Sequence, residues 1–141
     1  MKNILIVAGI VFFVLVGAWI YNEIIAPNVT RTNKAENQMA AVANCQIVRM
    51  ACETYKNEIG VYPGSLNILV YSRPPYINGT LGCALLKGYW KGYKYFYTKT
   101  ASGFTFTASP EVMGETGVMN FIIDQSGSLR SCDQDNTCEV L

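Results

Sequence analysis

The residues with the clearest capacity for covalent chemistry are five cysteines. Cys132 and Cys138 flank the polar loop DQDNT, where a local disulfide would hold a tail that otherwise frays. Cys45 and Cys52 lie seven residues apart, which is about 10 Å along a helix axis and too far for a disulfide between them. The spacing therefore predicts a Cys132–Cys138 disulfide.

The fifth cysteine, Cys83, lies in a stretch rich in proline and glycine that has to cross the helix carrying Cys45 and Cys52. We expect Cys83 to pair with Cys52 or with Cys45, and both pairings stay open. Because the number of cysteines is odd, at least one thiol remains unpaired within the chain.

The sequence shows no recognisable arrangement of catalytic residues. There is no histidine, which removes the commonest general base and metal ligand, and a cysteine nucleophile normally depends on such a base. Glu53 and Glu58 lie five residues apart and do not face each other on a helix. No CxxC motif or glycine-rich phosphate loop occurs. The sequence predicts a protein that is not an enzyme and has no small-molecule substrate.

A basic and aromatic stretch, LKGYWKGYKYFYTK, has the residue types that bind single-stranded nucleic acid. Its lysines could meet phosphates while bases stack on its rings. Alternatively, Tyr93, Tyr95 and Tyr97 share one face of a strand and cover a helix, while exposed lysines discourage pairing at the sheet edge. The net charge of +1 favours the second interpretation, because nucleic-acid binders usually show a clear basic excess. Nucleic acid is not expected as a partner.

The chain begins with an apolar segment. Residues 3–22 carry no charge, and Ile4–Tyr21 as a helix would be about 27 Å long, close to the ~30 Å core of a bilayer. The same residues also fit a secretion signal with Lys2 as its basic part and cleavage after Ala18. We favour a helix that is retained as a membrane anchor.

A second helix is predicted from about residue 35 to residue 59, with Gly60 as its stop. Apolar residues recur at offsets of three and four along it, while Asn44 is among the polar residues assigned to the opposite face. Pro27 can kink a helix without ending it, so we predict one long helix, apolar in its first half and amphipathic in its second. The apolar positions, called the helix stripe below, are Ala41, Cys45, Val48, Cys52, Tyr55 and Ile59.

The remaining sequence predicts a small sheet. Residues 71–88 contain two prolines and three glycines and are expected to be irregular. Alternating patterns and tight turns then indicate antiparallel strands within about residues 92–130. Such a sheet is stable only when one face is covered, and the helix stripe is the expected cover. The predicted fold class is α+β, with the long helix packed on three to four strands.

The order of these elements resembles the type IV pilin and type II secretion pseudopilin family, and most of all its G-type major pseudopilins. The resemblance covers about residues 28–130 and includes ACETYKNEIGVYPGSL, in which the helix ends in Tyr-x-x-x-x-Gly-x-Tyr-Pro. The Cys132–Cys138 loop resembles the C-terminal loop of many pilins. A closing motif includes the last clearly predicted strand and consists of Thr116, Gly117, Phe121, Asp124 and Gly127.

The resemblance implies a single-pass protein of the bacterial inner membrane, with residues 1–27 as the anchor. Residues 28–141 would form a pilin-like head outside the cytoplasm. The partners would be copies of the chain or other pilin-like subunits, joined through their apolar helices into a periplasmic or extracellular filament. Small residues in the anchor let helices approach closely. The implied anchor and assembly positions are Ile4, Ala8, Gly9, Ile10, Phe12, Phe13, Gly17 and Pro27.

Two features of the family are not found at the aligned positions. When Pro27 is matched to the helix proline of the family, Ile10 stands where the family has a glutamate. Leu5 stands where the leader ends in glycine. The residues used for processing by prepilin peptidase, and for pairing with a neighbouring amino terminus, are therefore not recognised in this alignment.

No cofactor is predicted. Calcium, which many G-type pseudopilins bind, needs six to eight oxygen ligands, and three scattered acids are poor evidence for such a site. The acids concerned are Glu111, Glu115 and Asp124.

Three functional hypotheses follow from the sequence. The first is a pilin-like structural subunit of a pilus or pseudopilus. The second is an exported or singly anchored pilin-fold binding module that does not polymerise, with cleavage after Ala18 as one route to it. The third is a DNA-binding minor pilin of an uptake system.

Overall fold

The computed structural model of the chain describes residues 12–21, 23, 26–135 and 137–141. The chain divides into two compact units, Met1–Asn33 and Lys34–Leu141. In the first unit, residues 12–20 are helical. Four predicted anchor positions lie outside the described residues, namely Ile4, Ala8, Gly9 and Ile10.

No helix within the described residues combines the length and the hydropathy needed to cross a membrane. The single long helix predicted from the sequence is not observed, because residues 22, 24 and 25 at its expected junction lie outside the described residues. That continuity stays a prediction.

Helix α1 spans Ala26–Ile59 and so begins earlier than the predicted residue 35. Residues 24 and 25 lie outside the described residues, so Ala26 is the first described residue of this helix, and Pro27 lies within it. Gly60 ends the helix as predicted, with a φ of 88°. Its N–H donates to the carbonyl of Lys56 at 2.7 Å.

Two short helices follow, α2 at Leu66–Tyr71 and α3 at Gly79–Lys87. The expectation of an irregular stretch at residues 71–88 is wrong for the second of them. Two of the glycines lie at the helix ends rather than inside it, and the third, Gly82, packs against Val70, where an added Cβ would come within 3.1 Å. Glycine here permits close helix packing instead of breaking the helix.

The predicted α+β class is confirmed, but the sheet has six strands instead of three to four. All neighbouring strands are antiparallel in the order of the sequence. The two additional strands form the edges and contain only two and three residues, too few to show an alternating pattern. The strands are β1 (Tyr89–Trp90), β2 (Tyr93–Lys99), β3 (Phe104–Pro110), β4 (Asn120–Asp124), β5 (Leu129–Cys132) and β6 (Cys138–Val140).

The core of the second unit lies between α1 and one face of the sheet. Four positions of the helix stripe are fully buried, and Tyr55 is partly buried. Ile59 is 56% exposed, so its assignment to the covered stripe is wrong. The chain turns at Gly60 and places Tyr62 against Phe104, with ring centroids 5.3 Å apart. Tyr62 therefore covers the sheet where Ile59 was expected to do so.

Candidate functional site

The contact between α1 and β2 is built from the three alternating tyrosines. Tyr93 and Tyr95 are buried and Tyr97 is half-buried, because alternate residues of a strand face the same side. Tyr95 stacks on Phe106 at 5.7 Å and Tyr97 on Phe104 at 5.9 Å between ring centroids. These rings cover the helix and are not free to stack on nucleic-acid bases.

Asn44 connects this cluster to the helix. Its Nδ2 donates a buried hydrogen bond of 2.9 Å to the hydroxyl of Tyr95, and only 5% of Asn44 is exposed. The sequence assignment of Asn44 to the solvent-facing side is therefore wrong. The signal was present in the spacing, since Asn44 lies three residues after Ala41 and four before Val48, which is the periodicity of the stripe itself.

The Thr116–Gly117 part of the closing motif fastens the connection between β3 and β4. Asn37 of α1 donates from Nδ2 to the carbonyl of Thr116 at 3.0 Å. The hydroxyl of Tyr93 donates to the carbonyl of Met119 at 2.9 Å. A Cβ on Gly117 would lie 2.2 Å from that hydroxyl, so glycine leaves the space that Tyr93 fills.

The second part of the motif stabilises the turn between β4 and β5. Asp124 Oδ1 accepts from the N–H and the hydroxyl of Ser126, at 2.8 and 2.5 Å. Its Oδ2 lies 3.1 Å from Arg130 Nη2. The hydrogen bond from the Ser126 hydroxyl, together with Arg130, holds the pKa of Asp124 below its ordinary value. Gly127 has a φ of 82°, which suits this turn.

The acids considered for calcium do not form a cluster. Both carboxylate oxygens of Asp124 already have partners within the turn. In the part of the chain that the structure describes, no group of three His, Cys, Asp or Glu side chains could hold a metal ion.

The cysteines differ in their pairing. Cys132 and Cys138 form a disulfide with an S–S distance of 2.07 Å, which is the local pair that the spacing predicts. Cys45, Cys52 and Cys83 are free thiols, so the predicted pairing of Cys83 with Cys52 or Cys45 is wrong. Helix α3 turns Gly82, Ala84 and Leu85 inward, and Cys83 between them faces solvent.

The two buried thiols are poor nucleophiles. Burial raises the pKa of Cys45 to about 12, and burial also raises that of Cys52 to about 12. Burial likewise raises the pKa of Tyr95 to about 12. At neutral pH these groups are protonated, and a thiol rather than a thiolate has little nucleophilic reactivity.

The described part of the apolar N-terminal segment presents a different kind of surface. Phe13 is 78% exposed and Trp19 is 61% exposed, and an added Cβ on Gly17 would meet nothing within 4 Å. Seven large apolar side chains of this segment are exposed, namely Phe12, Phe13, Val14, Leu15, Trp19, Ile20 and Tyr21.

No family model, curated protein or solved structure matches the chain.

A cleft of about 370 Å³ lies in the second unit between α1 and the loop at residues 74–76. Glu58 at its edge accepts a hydrogen bond from the hydroxyl of Tyr76. The cleft thus offers an apolar floor and one carboxylate that already has a partner. The residues that line it are Ile47, Met50, Ala51, Thr54, Glu58, Pro74, Pro75 and Tyr76.

Proposed function

We propose that the chain is a pilin-like structural subunit that assembles through its N-terminal helix into a type IV pilus or a type II secretion pseudopilus. The observation that carries this proposal is the helical segment at residues 12–20, whose large apolar side chains are exposed. Covering one such side chain contributes about 1.5–3 kcal/mol relative to leaving it in water. A segment of this kind requires lipid or other helices as its surroundings.

The role of the segment is mechanical. In a membrane it anchors the subunit, and in a filament it packs against the same segment of neighbouring copies. Gly17 has open space around its Cα, and small residues let helix backbones approach closely. Residues 28–141 form the head, which stays outside the cytoplasm.

The architecture of the head supports the proposal. An amphipathic helix covers one face of an antiparallel sheet, and this is the arrangement that the resemblance to pilins and pseudopilins implies. The Cys132–Cys138 disulfide suits an oxidising compartment outside the cytoplasm.

A second candidate is a singly anchored or exported pilin-fold module that binds another protein without polymerising. It is favoured by Ile10, which stands where the resembling family has the glutamate that pairs neighbouring subunits. The two candidates differ in one respect: only the structural subunit needs contacts between the N-terminal helices of separate copies.

Cross-linking between anchors tests the proposal. Val14→Cys in a Cys83→Ser background places an accessible thiol on the helical segment, and Asn57→Cys in the same background is the control on an exposed turn of α1. We expect oxidation of native membranes to yield disulfide-linked dimers through position 14 in clear excess over position 57. Equal yields at the two positions would overturn the structural-subunit proposal.

Intact mass measured on the same membranes completes the test. The proposal expects residues 12–21 to be retained in the mature protein. A mass that corresponds to loss of residues 1–18 would remove the assembly segment and leave the second candidate.

A further inference from the structure

The order of the strands separates the charges of the head. The side of the sheet that contains β1 and β2 carries four exposed lysines and no acid between residues 87 and 99. Strand β3 has no charged residue, and Glu111 and Glu115 follow it in the connection to β4. We call the first group the lysine edge (Lys87, Lys91, Lys94, Lys99) and the group beside β6 the acidic edge (Asp133, Asp135, Glu139).

These charges are not neutralised inside the described part of the chain. The ion pair found there joins Arg130 and Asp124, and the two edges contribute no member to it. Lys94, Lys99, Asp135 and Glu139 are all exposed. Each edge therefore presents its charge to whatever lies beside it.

The backbone at the lysine edge is also open. The N–H of Tyr95 donates to the carbonyl of Gly88 and so points away from β3. By the two-residue repeat of a strand, the backbone groups of Tyr97 and Lys99 point the same way. Strand β1 begins at Tyr89, opposite Lys94, and runs back towards Tyr93, so it does not extend to Tyr97 and Lys99.

The acidic edge is open in the same sense. Strand β6 is the last strand of the sheet. The N–H of Leu141 donates to Leu129 of β5, so the backbone groups of the preceding Val140 point to the outer side. An unpaired strand edge is a template for another strand.

We propose that the lysine edge of one head docks against the acidic edge of a second copy of the chain. This inference rests on the filament proposed above, because anchoring in one membrane or fibre raises the effective concentration of the heads. A contact between two different edges is heterologous and can be repeated from one copy to the next, and it is the type of contact from which open filaments are built when its rotation does not close a ring. Charge complementarity selects the partner and the direction.

The geometry allows the contact to be distinguished from any link within one chain. Strands β2 and β6 are separated by three intervening strands, so they lie about 19 Å apart at ~4.8 Å per step. A carbodiimide adds to a carboxylate and activates it as an O-acylisourea. A lysine amine then attacks the acyl carbon, so that an amide forms and the reagent leaves as a urea. No spacer remains, so an amide between Lys99 and Glu139 has to join two chains.

The first experiment applies this reagent to the full chain in native membranes, followed by mass spectrometry of the peptides. We expect amides between Lys94 or Lys99 and Asp135 or Glu139. Raising the ionic strength from about 0.1 M to about 1 M shortens the screening length from about 10 Å to about 3 Å and should reduce their yield. Efficient cross-links elsewhere on the head with none between the two edges would overturn the proposal.

Charge reversal gives the second experiment. Lys94→Glu with Lys99→Glu reverses the charge at the two β2 positions of the lysine edge, and Asp135→Lys with Glu139→Lys reverses it at two positions of the acidic edge. Each variant alone should lose about tenfold or more of the head-to-head cross-linked dimer, formed with a longer amine-reactive reagent, because like charges now face each other. Mixing the two variants, or combining all four changes in one chain, should restore it.

The matched control carries the same change in net charge away from both edges, at Lys34→Glu with Arg73→Glu, and should keep the dimer. Loss of dimer in this control to the same degree, or no recovery on mixing, would contradict the proposed contact. A single-stranded DNA probe tests nucleic acid as the partner instead. Tight, salt-dependent binding that requires Lys94 and Lys99, without edge-to-edge cross-links, would refute docking to a second copy and would show that the lysine edge binds nucleic acid.

The outcomes separate this contact from the proposed function. If disulfides form through position 14 but the edges give no amides, the filament proposal stands and the docking of heads is refuted. If neither forms, both are refuted.

Discussion

The hydrogen bond between Asn44 and Tyr95 is a buried polar contact between helix α1 and the sheet. Both residues are buried, and the 2.9 Å bond satisfies the amide of Asn44 within the core. Removing one partner of a buried pair leaves the other polar group buried without a hydrogen bond, because the water that bound it in the unfolded chain is excluded from the core. Asn44 thus has more influence on stability than its place among polar helix residues indicates.

Tyr95→Phe is expected to lower the free energy of unfolding by about 1–3 kcal/mol, because the Asn44 amide loses its acceptor while the ring remains. Tyr89→Phe removes a hydroxyl from a residue that is 57% exposed and should change stability little. Urea denaturation of both variants in detergent measures the difference. Equal stability of the two variants would show that the buried bond has no net effect.

The stability of the head should fall in alkaline solution. Burial raises the pKa of Cys45 and Cys52 from 9.0 to about 12, and that of Tyr95 from 10.0 to about 12. The unfolded chain loses these protons first, so their contribution is fully present below pH 9 and is lost as the pH rises towards 12. Unfolding midpoints measured from pH 7 to 11 should decrease above pH 9, and a flat profile would contradict this.

At the scale of single residues, the spacing in the sequence predicted local contacts, but it did not predict which face of a helix packs against the rest of the protein. The Cys132–Cys138 pair could be predicted because a short loop brings the two residues together. The environment of Cys83 could not, because it depends on which face of α3 packs inward. The strand pattern correctly placed Tyr93 and Tyr95 on one face, and both are buried.

At the scale of elements, Gly117 determines how the β3–β4 connection packs on β2. Gly117→Ala places a methyl group 2.2 Å from the Tyr93 hydroxyl and should destabilise the head by about 1–3 kcal/mol through overpacking. Gly64→Ala is the matched control, since its Cβ would meet Ile68 at an ordinary 3.7 Å. Thermal unfolding of the two variants compares them. A loss no larger for Gly117→Ala than for the control would show that Tyr93 can move aside.

The central strands could be predicted from the sequence because most residues of β2 to β4 alternate between buried positions and half-buried or exposed ones. The edge strands β1 and β6 could not, since two or three residues carry no periodicity. Helix α3 could not be predicted, because its glycines resemble loop residues in the sequence. In the structure, two of them lie at the helix ends and the third packs against Val70. Ile59 fits the helical period, but it is exposed. The chain turns at Gly60, and Tyr62 covers that part of the sheet instead.

At the scale of the whole molecule, the described residues 12–20 and the second unit differ in surface chemistry. The described residues 12–20 form an uncharged apolar helix, whereas the head has charged edges and a covered core. This division matches a subunit that uses one unit for anchoring and for packing the fibre, and the other for contacts on the outside. The composition of the N-terminus indicated this division. The separation of the lysines and the acids onto opposite edges of the sheet could be recognised only from the sheet topology.

The central claim is that the exposed apolar helix is an assembly surface. Electron microscopy of material sheared from the membranes of cells that make the full chain tests it most directly. The account predicts filaments of uniform width from the unchanged chain and from Val61→Glu, an equivalent change at an exposed apolar residue of the head, and no filaments from Leu15→Glu. Filaments from Leu15→Glu in undiminished number, or single subunits only from the unchanged chain, would contradict it.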